Sequence, residues 1–181
     1  MLLRPPQTER LRLREFRPAD LADVLRLDSD PRVMRYIGDG RVGTRRAIAD
    51  ALDRVARHYR NYPGLGVWPA EERSTGRFIG WFCLKYIPKT VEVEVGYRLL
   101  PEAWGRGFAT EGAKALVAYG LGEIGLYRIV GITHPDNAAS QRVLHKAGLR
   151  DAGWGRYYDR DVRVFVAEQV RPELSREPAE N

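Results

Sequence analysis

A single cysteine, Cys83, occurs in the 181 residues. No disulfide can form within the chain, and a small disulfide-stapled scaffold is excluded. Cys83 stands in the apolar run Phe78–Ile87, so a buried core thiol is expected rather than a nucleophile. Histidine is scarce as well: His58, His134 and His145 show no metal-ligand spacing, and no metal site is expected. No apolar stretch reaches the length of a membrane span, and the charged N-terminal residues lack an apolar signal core. The expectation is a soluble, cytoplasmic protein with no membrane partner. The net charge of +6 is spread over dispersed arginines with acidic residues between them. It reads mainly as a solvated surface, with a lesser pull on anions such as a phosphorylated cofactor or an acidic partner. Nucleic-acid binding would call for clustered basic residues with stacking aromatics, and the sequence has no such cluster.

What is present reads as one α/β domain. Leu11–Arg14 alternates as a first strand, and Pro18 opens a helix with Leu21, Val24 and Leu25 on one face, stopped by Asp30-Pro31. Thr44 can cap a second helix carrying Ile48, Leu52, Val55 and Tyr59, which ends near Pro63-Gly64. Strands are predicted at 65–70, 77–86 and 90–99, separated by the turns Ser74-Thr75-Gly76 and Pro88-Lys89. A third helix follows, then a strand at 127–133. Asn137 opens a fourth helix that Gly148 ends in a left-handed cap. Strands at 151–157 and 162–169 close the domain, and the Pro-, Glu- and Ser-rich tail 171–181 reads as flexible. The expected architecture is a mixed, mostly antiparallel sheet of about seven strands flanked by about four helices.

The most informative stretch is W-G-R-G-F-A-T-E, Trp104–Glu111, at the start of the third helix, where Ala109, Ala113, Leu116, Val117, Gly120 and Leu121 recur at helical spacing. A helix N-terminus offers unsatisfied N–H groups and partial positive charge, and Gly105 and Gly107 let the backbone approach an anion closely. By itself the turn is as compatible with a plain strand-to-helix connection. The nucleotide P-loop is excluded, because no G-K-S or G-K-T follows; the three-glycine dinucleotide fingerprint is also absent.

Four stretches in order carry a resemblance: T-E-R-L-R-L-R at 8–14, E-V-G-Y at 94–97, the Gly-turn, and N-A-A-S-Q-R-V-L-H-K-A-G-L at 137–149. Together they resemble the GNAT superfamily of acetyl-CoA-dependent N-acetyltransferases, in particular its RimJ/RimL-like branch of ribosomal-protein N-terminal acetyltransferases. The resemblance spans Thr8 to about Val170, which gives a GNAT-like domain over 1–170. The superfamily cradle is written Q/R-x-x-G-x-G/A; here Gly107 and Ala109 fit, and Trp104 stands at the leading position.

The resemblance implies acetyl-CoA as co-substrate, with no metal, and direct transfer to a primary amine, either a protein N-terminus or a small amine. It implies that backbone N–H groups from Gly105 through Arg106, Gly107, Phe108 and Ala109 to Thr110 hold the CoA pyrophosphate. Arg106 either adds charge there or stands exposed without a specific task. The strand edge by Tyr97–Leu100, with Leu99 and Leu100 as cofactor contacts, is expected to pair with the pantetheine arm. Glu92 and Glu94 share one strand face; Glu94 matches the branch's E-x-G-Y pattern and is the candidate base, acting directly or through water. Asn137 is either a pure helix cap or a cofactor contact.

Ser140 lies on the apolar face of its helix, so its hydroxyl needs a partner, either the carbonyl four residues back or the CoA arm. Many superfamily members protonate the leaving thiolate with a tyrosine whose place Leu144 takes; Ser140, or a water it holds, is the expected substitute donor. His145 points about 100° away and reads as surface. Tyr36, Trp68, Tyr157 and Tyr158 are candidates to line the acceptor cleft. Homodimers are frequent in such families, though no residue here requires one. A non-catalytic CoA-binding sensor is the alternative class.

Overall fold

The computed structural model describes residues 3–169; the tail read as flexible lies outside them. The strands are β1 (Leu11–Leu13), β2 (Gly66–Glu72), β3 (Arg77–Tyr86), β4 (Val93–Leu99), β5 (Arg128–Thr133), β6 (Arg150–Tyr157) and β7 (Arg160–Glu168). Five α-helices lie among the described residues: α1 (Leu21–Asp28), α2 (Pro31–Met34), α3 (Arg45–Asn61), α4 (Phe108–Gly122) and α5 (Ala138–Lys146). One seven-stranded sheet has the order β1-β2-β3-β4-β5-β7-β6.

Local chemistry sets most boundaries. Thr44 caps α3, its hydroxyl accepting from the Ala47 N–H at 3.3 Å. Gly148, at φ 95°, ends α5, and the Leu149 N–H closes the cap on the Leu144 carbonyl at 3.1 Å. Four boundaries differ from expectation. Pro18 begins a 3-10 turn, Pro18–Asp20, in which the Asp20 carboxylate accepts from the Arg17 N–H at 2.7 Å; α1 follows it. Asp30-Pro31 both stops α1 and starts the short α2, because Asp30 accepts from the Arg32 N–H at 2.9 Å. Strand β4 begins at Val93 rather than Thr90, since the Ile87 N–H bonds the Glu92 carbonyl at 2.9 Å and closes the preceding loop. Strand β7 begins at Arg160 rather than Val162, because β6 and β7 are joined by only two residues, Tyr158 and Asp159.

Among the described residues, one neighbouring strand pair is parallel. Strands β4 and β5 pair at Val93↔Ile129, Glu94↔Val130 and Val95↔Gly131, and then part. Each keeps its other neighbour: β4 runs along β3 as far as Gly80↔Leu99, and β5 along β7 as far as Thr133↔Arg163. A bulge in the β2–β3 ladder, between Ala70 and Glu71, makes Ile79 the extra residue. Such a bulge bends and twists its strand, here beside the divergent end of β4.

Alternation along β4 sends its residues to two different layers. Val93, Val95, Tyr97 and Leu99 join the main core with Phe108, Ala113 and Leu116 of α4 and Leu144 of α5. Arg98 faces the opposite layer, where its guanidinium donates to Asp28 of α1 at 2.5 Å. Helix α4 lies close on the sheet at Gly112: a Cβ there would stand 2.3 Å from the ring of Phe82, a fully buried residue that cannot yield. Gly112→Ala is therefore expected to lose about 1–3 kcal/mol through overpacking. By contrast, Gly122→Ala has open space around it and should gain up to about 1 kcal/mol from helix propensity. Thermal or urea denaturation of the two variants should show opposite signs.

Candidate active site

The Gly-turn opens α4 in a form suited to an anion. Gly105 and Gly107 have φ of 71° and 84°, and Gly107 is the N-cap residue. No side chain caps α4, whereas Thr44 caps α3 and Asn137 caps α5. The first-turn N–H groups of Phe108, Ala109 and Thr110 thus have no intrahelical acceptor, and the dipole of a 15-residue helix stands behind them. A Cβ at Gly105 would meet nothing within 4 Å, so the turn is open on that side.

The turn is fixed from below by the N-terminal segment. Glu111, in the first turn of α4, accepts from the Thr8 hydroxyl at 2.5 Å, the Arg10 N–H at 3.0 Å and Arg10 Nε at 2.6 Å. Arg10 Nη1 also donates to the Arg106 carbonyl at 2.9 Å. Phe108 is buried between two guanidinium groups, those of Arg10 and Arg106, each 4.7 Å from its ring centre. The Arg106 guanidinium pairs with Glu72 on β2. That hydrogen bond holds the Glu72 carboxyl below the usual carboxylate range. At the other end of the turn, the Trp104 indole donates to the Leu99 carbonyl at 2.8 Å.

Beyond Val95 the parted strands leave an opening, with α5 on one layer beside it. The Leu99 and Leu100 side chains are buried, so only main-chain atoms there can face a ligand. The expectation for Leu100 needs correction, because its N–H donates to the Ile79 carbonyl at 2.9 Å. The Leu99 carbonyl points away from β3, toward Trp104; by alternation the main-chain groups of Tyr97 and Leu99 face the opening. Asn137 uses its side-chain oxygen as the cap of α5, accepting from the Ser140 N–H at 3.1 Å.

Ser140 does not bond the carbonyl four residues back. Its hydroxyl lies 3.0 Å from the hydroxyl of Tyr97, which also donates to the Ser140 carbonyl at 3.3 Å. The Tyr97 ring packs on Phe82 with centroids 5.9 Å apart, and burial pushes its phenol up to about 12. Sequence reasoning missed Tyr97 as a partner. It could have been found only as the tyrosine of E-V-G-Y, since 43 residues separate it from Ser140. Leu144 is buried in the core, and His145 is exposed with its ring against the edge of Phe165.

Glu94 lies on the other layer. Its Oε1 accepts from Lys85 on β3 and from the Tyr158 hydroxyl at 2.5 Å; Lys85 Nζ also reaches the Tyr158 oxygen at 3.1 Å. Burial works against the Lys85 charge, but the neighbouring Cys83 and Glu94 together outweigh it and raise the ammonium. Glu92, just ahead of β4, pairs instead with Arg128 at 3.5 Å and accepts from the Tyr157 hydroxyl. Tyr157 packs on the same layer as Glu94, against a cluster that includes Val130, the register partner of Glu94. Tyr36 lies 5.3 Å from His134, which stands just past the end of β5. The expectation for Trp68 is corrected: it pairs in register with Phe82, is 2% exposed and belongs to the core, so it lines no cleft.

Residues 10–150 match the family model described as acetyltransferase (GNAT) domain. The chain belongs to the GNAT acetyltransferase family. Among curated proteins it is similar to the FsC-acetyl coenzyme A-N(2)-transacetylase of Aspergillus fumigatus, 32% identical over 163 residues, which cover 85% of this chain and 68% of that protein. Among solved structures it is similar to a GNAT-family acetyltransferase of Bacillus anthracis at 26% identity and TM-score 0.74, covering 90% of this chain and 96% of that one. It also has the fold of RimL, a ribosomal alpha-N-protein acetyltransferase solved with coenzyme A, at 15% identity and TM-score 0.75, covering 91% of this chain and 97% of that one.

With the GNAT family comes the enzyme class, N-acetyltransferase, and acetyl-CoA as co-substrate. The α4 turn fits a CoA pyrophosphate: its N–H groups are open, no capping side chain competes, and its glycines have the positive φ that brings the backbone close. Glu111 is expected to matter for this GNAT cradle through shape rather than contact. Burial alone would raise its carboxyl, but bonds from Thr8 and Arg10 hold it below the usual value of 4.5. The group therefore contributes stability in full above about pH 4.5 and loses it as the pH falls through the lowered value. Glu111→Gln should cost about 1–2 kcal/mol at pH 7, flatten the acid limb of a pH–stability curve and weaken acetyl-CoA binding measured by calorimetry.

Proposed function

We propose that this chain transfers the acetyl group of acetyl-CoA to a primary amine in a ternary complex, with a protein N-terminus as the first acceptor to test. One observation carries the reading: the parted strands β4 and β5 open a passage between two layers, with Glu94 on one side and the Ser140–Tyr97 pair on the other. Bound in that passage, acetyl-CoA supplies an acetyl group activated as a thioester. The uncapped start of α4 holds its phosphates. Main-chain N–H groups of β4 beyond Val95 orient the arm and offer hydrogen bonds to charge that develops on the acyl oxygen. Alignment of the two substrates supplies much of the acceleration.

The layers divide the proton work. Glu94 takes the proton of the incoming amine at a carboxylate oxygen, directly or through water. Ser140 Oγ gives a proton to the departing sulfur and takes the Tyr97 hydroxyl proton across their 3.0 Å contact; water entering as the products leave returns a proton to the phenol, which burial keeps neutral between turnovers. This pair performs the task that a tyrosine at the place of Leu144 performs elsewhere in the family. The acceptor approaches on the Glu94 layer, past Tyr36 and Tyr157. A peptide N-terminus is favoured by the RimL-like fold; a small amine acceptor is the alternative outcome of the screen.

Calorimetry with acetyl-CoA, against ATP and NAD, tests the cradle: selective binding is expected, and its absence in a folded protein would overturn the reading. With an accepted amine in hand, Ser140→Ala and Tyr97→Phe should each lower kcat roughly 10- to 100-fold and leave acetyl-CoA affinity nearly unchanged. Unchanged turnover at saturating substrates in Ser140→Ala would remove the serine from the mechanism. Binding without acetyl loss across peptides and small amines would favour a non-catalytic sensor.

A further inference from the structure

We infer that Tyr158 is a positioning residue that fixes the Glu94 carboxylate for the acceptor amine, and that the β6–β7 turn keeps a strained backbone in order to place it. The inference rests on the reading of Glu94 as the base.

The turn is the first observation. Tyr157 and Arg160 are directly paired, so Tyr158 and Asp159 are the two central residues of the hairpin, with φ of 52° and 61°. A two-residue hairpin with both residues at positive φ is the turn type that selects Asn-Gly or Asp-Gly. A tyrosine in that conformation is strained by its Cβ, and such strain persists where the surroundings over-determine it. Burial does not supply the compensation: Tyr158 remains 49% exposed. Its contacts are polar, the hydroxyl on Glu94 Oε1 and Lys85 Nζ 5.6 Å from its ring centre.

The second observation is the asymmetry of the carboxylate. Oε1 of Glu94 receives both Lys85 and Tyr158, while Oε2 receives a hydrogen bond from no described residue. Two donors on one oxygen fix the plane of the group and leave the other oxygen for the nitrogen of the acceptor. Lys85 reaches from β3 and Tyr158 from the far hairpin, so the carboxylate is held from both sides of β4. Burial and the Glu94 charge push the Tyr158 phenol up, and it stays a donor at working pH. An unpinned carboxylate would rotate, and misplacement of a reacting group by about 1 Å costs on the order of 100-fold in rate.

The test separates position from stability. Tyr158→Phe keeps the ring and loses the hydroxyl; kcat should fall roughly 10- to 100-fold with acetyl-CoA affinity unchanged. Tyr158→Asn suits the left-handed turn, so Tm should rise by about 2–4 °C while kcat falls as in the phenylalanine variant. Opposite signs of the two readouts are the signature of a residue kept for placement. A fall in both Tm and kcat in Tyr158→Asn, or full activity in Tyr158→Phe, would overturn the inference. Glu94→Gln run alongside keeps the two ideas apart: activity retained there removes Glu94 as base, whereas activity lost there but kept in Tyr158→Phe removes Tyr158 alone.

Discussion

The parting of β4 from β5 is the constraint on which the rest of the structure depends. A parallel pair that continued past Val95↔Gly131 would satisfy its main chain internally and leave no room for a ligand arm. Because the strands separate while each stays paired on its outer side, the sheet remains continuous around a local gap. Main-chain groups at that gap can serve a peptide-like substrate as a neighbouring strand would. The gap also joins the two layers of the domain, so chemistry split between Glu94 and Ser140 can meet at one point.

The α4 turn has to stand still at the end of that gap, and an uncapped helix start with two glycines is not rigid by itself. Its rigidity comes from residues about a hundred positions earlier in the chain, where Thr8 and Arg10 close on Glu111. Arg106 and Glu72 tie the turn to β2 on the other side. Backbone freedom and side-chain restraint are thus divided between partners, which leaves the N–H groups clear. The opening and the turn are neighbours for a chain reason as well, since only the 3-10 turn Pro101–Ala103 and the Gly-turn separate the end of β4 from α4.

Features written in local chemistry were legible in the sequence. Alternation gave the strands, Thr44 and Asn137 gave helix starts, Gly148 gave a helix end, and Gly105 with Gly107 gave the turn that opens α4. Errors arose where the deciding partner lies far along the chain. Trp68 looks like a cleft aromatic until its register with Phe82 buries it. The i−4 carbonyl is the nearest partner for Ser140 in sequence, yet Tyr97 on β4 takes that hydroxyl. Tyr158 and Asp159 carry no glycine or asparagine to announce a two-residue turn, so their sequence reads as a longer hairpin loop.

By itself the sequence determined the α/β order of elements and the glycine turn that opens α4. These rest on periodicity, capping and glycine φ preferences, which act over a few residues. Only the tertiary structure decided where β4 leaves β5, which hydroxyl meets Ser140, that Leu100 is already bonded, and that Lys85 and Tyr158 meet on Oε1 of Glu94. Those outcomes depend on sheet register and on side chains meeting across strands and helices, and no short window of sequence contains both partners.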